Sequence, residues 1–217
     1  MVRTLCVAPS RCLRFVIVMR MSNTKLFRAL MDGRSVFFHE FLKHPFQVGS
    51  IIPSSRFLER HVMEAAGVRS AKTIVELGPG TGGTTRAILR AMAPHAKLLS
   101  IEINPKFHAL VSSMEDDRLI VHLGNAHGLK EIIYMHGIGA PEVVISGIPF
   151  STMSHGSGSQ ILETISSVLC PGGRFVAYQV SNRVACLCQP FLGPGRMEVE
   201  LLNIPPMRVY RREKNLA

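Results

Sequence analysis

Residues 74–83 read Ile-Val-Glu-Leu-Gly-Pro-Gly-Thr-Gly-Gly, and this stretch decides the fold. The apolar run Thr73 to Leu77 has the length and composition of a buried strand. Glycines follow at alternate positions, Gly78, Gly80 and Gly82. Beyond them Ala87, Ile88, Leu89 and Met92 mark the apolar side of a helix. Strand, tight glycine turn and helix together form a ligand-binding loop at the carboxyl edge of a parallel sheet. The loop lacks the G-x-G-x-x-G spacing of a dinucleotide fingerprint. It also lacks the Lys-Ser/Thr that completes a phosphate-cradling P-loop.

What stands instead is Glu76-x-Gly78-x-Gly80-x-Gly82, which resembles motif I of the class I S-adenosylmethionine-dependent methyltransferases. That ligand has no pyrophosphate. Its loop must let backbone pass close to the methionine part and the ribose, and glycine removes the Cβ that would block the approach. Pro79 stiffens the turn, and Thr81 lies within it. Glu76, at the strand end, can serve the ligand's ammonium directly or through water. The plain alternative is a structural turn with no ligand.

The 217 residues fit one α/β domain with an N-terminal extension, and 47% hydrophobic content is ample for a core. The formal charge is +10. Residues 1–60 hold ten Lys/Arg against three Asp/Glu, so the basic excess belongs mainly to the N-terminal part. Most of the Phe residues lie there too. This combination points to an anionic surface, lipid or nucleic acid. The five cysteines, Cys6, Cys12, Cys170, Cys186 and Cys188, form no CxxC pair, and no His cluster completes a metal site. No metal is expected, and the odd count suits unpaired thiols in a reducing cytoplasm.

Residues 1–23 are expected to be disordered or a mis-assigned start. The apolar stretch Leu13 to Met19 is too short to span a bilayer, and Met21 opens a more natural beginning. Residues 24–66 are expected to form N-terminal amphipathic and covering helices. In 24–44, Leu26/Phe27, Leu30/Met31, Phe37/Phe38 and Phe41/Leu42 recur at helical spacing beside Lys25, Arg28, Arg34 and Lys43. Such a helix either covers the domain's own core or lies in a membrane interface. Pro45 ends it, and Ser54 or Ser55 caps a helix over 55–66.

Residues 67–213 are expected to form the S-adenosylmethionine-binding methyltransferase domain that the glycine loop's resemblance implies. Strands are expected near 73–77, 97–102, 118–123, 142–147 and 174–180. Helices are expected near 82–93, 105–114, 127–136 and 158–169. This alternation gives a parallel sheet with helices on both faces. Met197 to Asn203 and Met207 to Arg212 read as a closing strand pair, one antiparallel to the sheet. A seven-stranded, mostly parallel sheet of this kind matches the Rossmann-like fold of class I methyltransferases.

Glu102 ends the second strand, 20 residues after Gly82, where an acidic side chain can accept from both ribose hydroxyls. Ile103 would flank the adenine. Gly124-Asn125-Ala126 follows the third strand, and the Asn125 amide oxygen can accept from the adenine amino group. Ser146-Gly147-Ile148-Pro149-Phe150 follows the fourth strand, the usual place for acceptor recognition. It resembles the Asn-Leu-Pro-Tyr motif of adenine N6 dimethyltransferases. Gly147, however, stands where those enzymes carry the amide that grips the base. Phe150 can pack beside a cation or be a core residue. Tyr178 can supply a cation–π or hydrogen-bond contact. His155 and His127 are candidate proton acceptors near the sheet edge.

Several segments together resemble the bacterial phospholipid N-methyltransferases: Phe-Leu-Lys-His-Pro-Phe-Gln-Val-Gly-Ser-Ile-Ile-Pro-Ser-Ser (41–55), the glycine loop, Glu-Ile-Asn-Pro-Lys-Phe (102–107), Ser-Gly-Ile-Pro-Phe (146–150) and Leu-Asn-Ile-Pro-Pro-Met-Arg-Val-Tyr-Arg (202–211). The resemblance implies transfer of methyl groups from S-adenosylmethionine to the amine of phosphatidylethanolamine, towards phosphatidylcholine. It also implies that Gly49, Ser50 and Ser54 close over the cofactor. The implied partners are an anionic membrane surface, met through residues 24–44, and a lipid amine. The implied location is peripheral, on the inner face of the cytoplasmic membrane. Nucleic acid is not the expected partner: about 37 residues follow the fifth strand, fewer than the helical RNA-binding domain of the rRNA dimethyltransferases needs. The competing readings are an rRNA adenine methyltransferase, a small-molecule methyltransferase and a non-catalytic binding module.

Overall fold

A computed structural model describes residues 54–192, 195–203 and 205–215. All belong to one compact unit, residues 49–217. The expectations for residues 1–53, including the amphipathic helix 24–44, Gly49 and Ser50, lie outside the described residues.

The first described helix, α1 (Arg56–Ala66), starts where the Ser55 hydroxyl accepts the Leu58 amide and stops at Gly67 in the left-handed conformation. Strand β1 (Thr73–Leu77) and helix α2 (Gly83–Ala91) bracket the glycine loop. There follow β2 (Lys97–Glu102), α3 (Pro105–Ser112), β3 (Leu119–Leu123), α4 (Leu129–Met135), β4 (Val143–Ser146), α5 (His155–Val168), β5 (Arg174–Gln179), α6 (Arg183–Leu192), β6 (Arg196–Glu200) and β7 (Met207–Glu213). Asn104 caps α3, and Pro105 sits in its first turn, where its fixed φ suits the helix.

Three elements depart from expectation. Strand β6 ends at Glu200, three residues before the expected Asn203, because the chain turns at Leu201–Leu202, where the Leu202 amide donates to the Glu200 carboxylate at 2.9 Å. Helix α5 begins three residues earlier than the apolar period suggests, because the Ser154 hydroxyl accepts the Ser157 amide and fixes its first turn. Helix α6 was not anticipated. Its buried side chains Val184, Leu187, Cys188 and Leu192 keep helical spacing, but Pro190 within it reads as a breaker.

The expected seven-stranded sheet is present, with order β3-β2-β1-β4-β5-β7-β6. Strand β1 pairs in parallel with β2 and β4, and β7 runs antiparallel between β5 and β6. Helices cover both faces. On one, Val75, Leu77, Leu99, Ile101, Val144 and Phe175 pack with side chains of α4, α5 and α6. On the other, α1 packs on α2, β5 and β7. Beyond the strand ends the parallel ladders continue. The amides of Gly78, Gly124 and Gly147 donate to the carbonyls of Ile101, Glu102 and Leu77, each at 2.9 Å. These bonds draw the loops after β1, β2, β3 and β4 to one edge.

Gly82, with φ 80°, is the N-cap of α2, and a Cβ there would meet the Met114 side chain at 2.1 Å. Gly82→Ala is expected to cost about 1–3 kcal/mol. Thermal melting checks this, at roughly 2–4 °C per kcal/mol for a domain of this size.

Candidate functional site

Gly78, Gly80 and Gly82 all have positive φ, 72°, 56° and 80°, and the Gly82 amide closes the turn on the Pro79 carbonyl at 3.0 Å. They are not equivalent. A Cβ on Gly78 would touch Ile148, one on Gly82 would strike Met114, and one on Gly80 would project into open space. The open side of the loop is therefore over Gly80. Pro79 is buried and Thr81 half-buried, its carbonyl accepting from Arg86.

Glu102 fastens this loop. One of its oxygens accepts from the Gly80 amide at 3.0 Å and the other from the Asn104 amide at 2.8 Å. Each oxygen keeps a second lone pair, so the carboxylate can still accept from a ligand hydroxyl. Ile103, beside it, is 65% exposed, an open apolar surface at the sheet edge.

Glu76 is fully buried between β1 and α2. Its Oε2 accepts from the Thr85 hydroxyl at 2.7 Å and the Ser100 hydroxyl at 2.9 Å, while Oε1 has no partner. Burial raises its pKa from 4.5 to about 7, against the lowering by these two hydrogen bonds, and the charge of Glu102 adds to the rise. A buried carboxylate with one unused oxygen under the loop suits a cationic ligand group. Thr85 and Ser100 were missed in the sequence. Ser100 carried a signal: it is polar within Leu98-Leu99-Ser100-Ile101 and sits directly opposite Glu76 in the β1–β2 register.

At the next loop the Asn125 amide oxygen accepts from the His127 backbone at 3.0 Å and faces its Nδ1 at 2.7 Å. The His127 Nε2 meets the Ser157 hydroxyl at 3.0 Å. The oxygen expected to accept from adenine is thus already used in capping the short turn Ala126–Gly128, and Ala126 is buried beside it. His155 is exposed in the first turn of α5, its Nδ1 3.5 Å from the Ser159 hydroxyl. Ser54 is half-buried and leaves the capping of α1 to Ser55.

The loop after β4 lies against the glycine turn. Ser146 is buried and accepts from the Ile148 amide at 3.3 Å. A Cβ on Gly147 would lie 2.7 Å from both the Gly78 carbonyl oxygen and the Tyr178 hydroxyl. That hydroxyl pairs with Thr84 at 3.0 Å. Burial, reinforced by the Glu76 charge, pushes the Tyr178 phenol up and keeps it neutral. Gln179, also missed in the sequence, donates to the Ile148 carbonyl at 2.5 Å and holds the loop from below. Phe150 is placed in the core, fully buried and near Gly158 of α5, so its ring does not reach the open edge. Of the two roles left open for Phe150, the structure takes the packing one.

No family model matches the chain. It is 28% identical over 142 residues to ornithine lipid N-methyltransferase of Singulisphaera acidiphila, covering 64% of this chain and 74% of that protein. It is 32% identical over 108 residues to ribosomal RNA small subunit methyltransferase A of Maricaulis maris, covering 48% of this chain but only 35% of that protein. Among solved structures, the O-methyltransferase TomG of Streptomyces achromogenes, in complex with S-adenosylmethionine, aligns with a TM-score of 0.61 at 13% identity, covering 86% of this chain and 89% of that one. The last likeness bears out the class I methyltransferase fold. The expected enzyme class, a methyltransferase, agrees with both sequence relatives, and the expected cofactor, S-adenosylmethionine, is the one bound in the TomG structure.

The Glu76 environment makes a signed pH prediction. The folded chain holds this proton more tightly than the unfolded chain, so stability falls as pH rises from about 4.5 to about 7. Glu76→Gln should remove that slope. Between about pH 4.5 and about pH 8, its stability relative to the parent should shift upward by up to roughly 3 kcal/mol. Denaturant melts at several pH values check this.

Proposed function

We propose that this chain methylates the primary amine of a lipid headgroup, with phosphatidylethanolamine as the acceptor, working peripherally at the inner face of a cytoplasmic membrane. The observation that carries the proposal is the match to an ornithine lipid N-methyltransferase across most of that protein's length. The altered acceptor loop supports it. At Gly147, where base-methylating enzymes hold an amide, the Tyr178 hydroxyl and the Gly78 carbonyl leave no room for a side chain. No helix among the described residues is long and apolar enough to cross a membrane, which is compatible with a peripheral enzyme.

The residues present fit S-adenosylmethionine. The open side of Gly80 admits a ligand against the backbone, and Glu76 offers an unpartnered oxygen for an ammonium. Glu102 offers further lone pairs to hydroxyls, and exposed Ile103 offers an apolar face. Gly78 to Gly82, Asn125, Ala126, Ser146 and Ser54 complete the surround. When bound, the cofactor supplies a methyl group made electrophilic by its sulfonium. The chain's own part is to position and desolvate the attacking nitrogen. Tyr178, neutral and fixed by Thr84, contributes a hydroxyl dipole beside the acceptor loop. His155, exposed at the same edge, takes the proton that an ammonium acceptor must shed.

The test is expression in a host that makes no phosphatidylcholine, with labelled S-adenosylmethionine and thin-layer separation of the lipids. Label in ethanolamine-headgroup lipid is the expected result, and label in ornithine-headgroup lipid instead overturns phosphatidylethanolamine as the acceptor while keeping the lipid amine. Label in ribosomal RNA, or in neither fraction, overturns the proposal. Gly147→Asn gives a second reading. It should weaken cofactor binding at least tenfold, because the new side chain displaces Tyr178 or the loop, and it should confer no RNA methylation; equilibrium binding and the same labelled assay decide.

A further inference from the structure

The β6–β7 hairpin carries a surface that the site does not use. Met197, Val199, Leu201 and Leu202 are 51%, 39%, 43% and 62% exposed. These four large apolar side chains fall within six residues. Met197 and Val199 lie opposite Tyr210 and Arg208 in the antiparallel register, so they share the sheet face that carries α4, α5 and α6. Helix α6 packs on β7, and β6 is the last strand of the sheet. The charged residues of β6 point the other way: Glu198 and Glu200 reach His61 of α1 at 3.1 and 3.4 Å. One face of the edge strand is therefore apolar and open, and its opposite face is ionic.

The direction of the strand fixes where this surface ends. Glu200 pairs with Met207, and Arg208 pairs with Gln179 at the carboxyl end of β5. Leu201 and Leu202 therefore project from the same edge as the glycine loop and the acceptor loop. Turn positions are ordinarily polar, so two exposed leucines there call for a partner. The turn is also firmly held. The Asn203 amide oxygen accepts from the Ser55 amide at 2.8 Å, and Glu200 accepts from the Leu202 amide at 2.9 Å. The next residue after Ser55 is exposed Arg56, whose guanidinium stands 5.2 Å over the Phe57 ring. Arg60 follows one turn later, its exposed guanidinium 3.7 Å from the equally exposed Glu64, a surface pair that lipid phosphate can replace.

We propose that this hairpin is an interfacial wedge for an anionic bilayer. Leu201 and Leu202 enter the boundary between headgroups and acyl chains, Met197 and Val199 lie along it, and Arg56 and Arg60 meet lipid phosphates. Charge complementarity and the position at the site's edge favour a bilayer over a second copy of the chain. Pairing copies along β6 would cover the strand and leave the leucines beyond its end uncovered. The proposal rests on the lipid-amine reading above and deepens it: the wedge would turn the edge bearing both loops towards the headgroups. It assigns this role to the folded domain, separately from residues 24–44.

The test uses the full chain and vesicles of phosphatidylethanolamine with phosphatidylglycerol. The double substitution Leu201→Ser/Leu202→Ser should reduce vesicle partitioning about tenfold or more. Cofactor affinity should stay unchanged and melting temperature should shift little, since Leu201 and Leu202 are 43% and 62% exposed. The chain has no Trp, so Leu202→Trp introduces a single reporter, and its emission should shift to the blue when vesicles are added. Unchanged partitioning together with an unshifted reporter overturns the wedge, as does a parent chain that proves dimeric and becomes monomeric on the double substitution with partitioning intact. Failure of the lipid-labelling assay with the wedge results intact would instead sink only the lipid-amine reading.

Discussion

The pairing of β1 with parallel neighbours on both sides is the constraint on which the rest of the domain depends. Two flanking ladders leave its backbone no freedom of register. They also run on past the strand ends, through Gly78 to Ile101 and through Gly147 to Leu77. The donor loop and the acceptor loop are thus tied to the same strand by main-chain bonds. Side chains then only refine a geometry that the sheet has already set. Glu102 illustrates this: it sits at the end of β2 and reaches across to the Gly80 amide, locking a turn whose path the ladder dictates.

Glu76 is a costly element in that arrangement. A carboxylate with no exposed surface would ordinarily be replaced by an apolar residue or fully satisfied by donors. Here two hydroxyls satisfy one oxygen and the other has none. Such a group stores unfavourable energy that a cationic ligand group can release, so binding and ionisation become linked. The displacement of its pKa from 4.5 to about 7 is the signature of that compromise.

Most of the sheet was legible because its strands are short apolar runs bounded by glycine, proline or polar turns, as in Thr73–Leu77 and Lys97–Glu102. Helix α6 was hidden by Pro190, a residue whose local preference the packing of Val184, Leu187 and Leu192 overrides. Candidate ligand residues could be placed at strand ends by spacing alone. Spacing could not tell which partners they choose. Asn125 turns its oxygen to His127, and Phe150 turns inward to the core; both choices depend on contacts distant in sequence. Thr85, Tyr178 and Gln179 share that difficulty, since their partners lie on elements that only the folded sheet brings near.

The crowding at Gly147 has a further consequence. The donor turn and the acceptor loop meet there as a common wall, with the Gly78 carbonyl on one side and the Tyr178 hydroxyl on the other. A wall shared in this way cannot be altered for the sake of one tenant without disturbing the other. New acceptor preferences in a lineage built on this chain would therefore arise from residues at the outer rim, while the position between the two loops stays fixed as glycine. The cofactor's demands would thus act as a brake on how far substrate choice can drift.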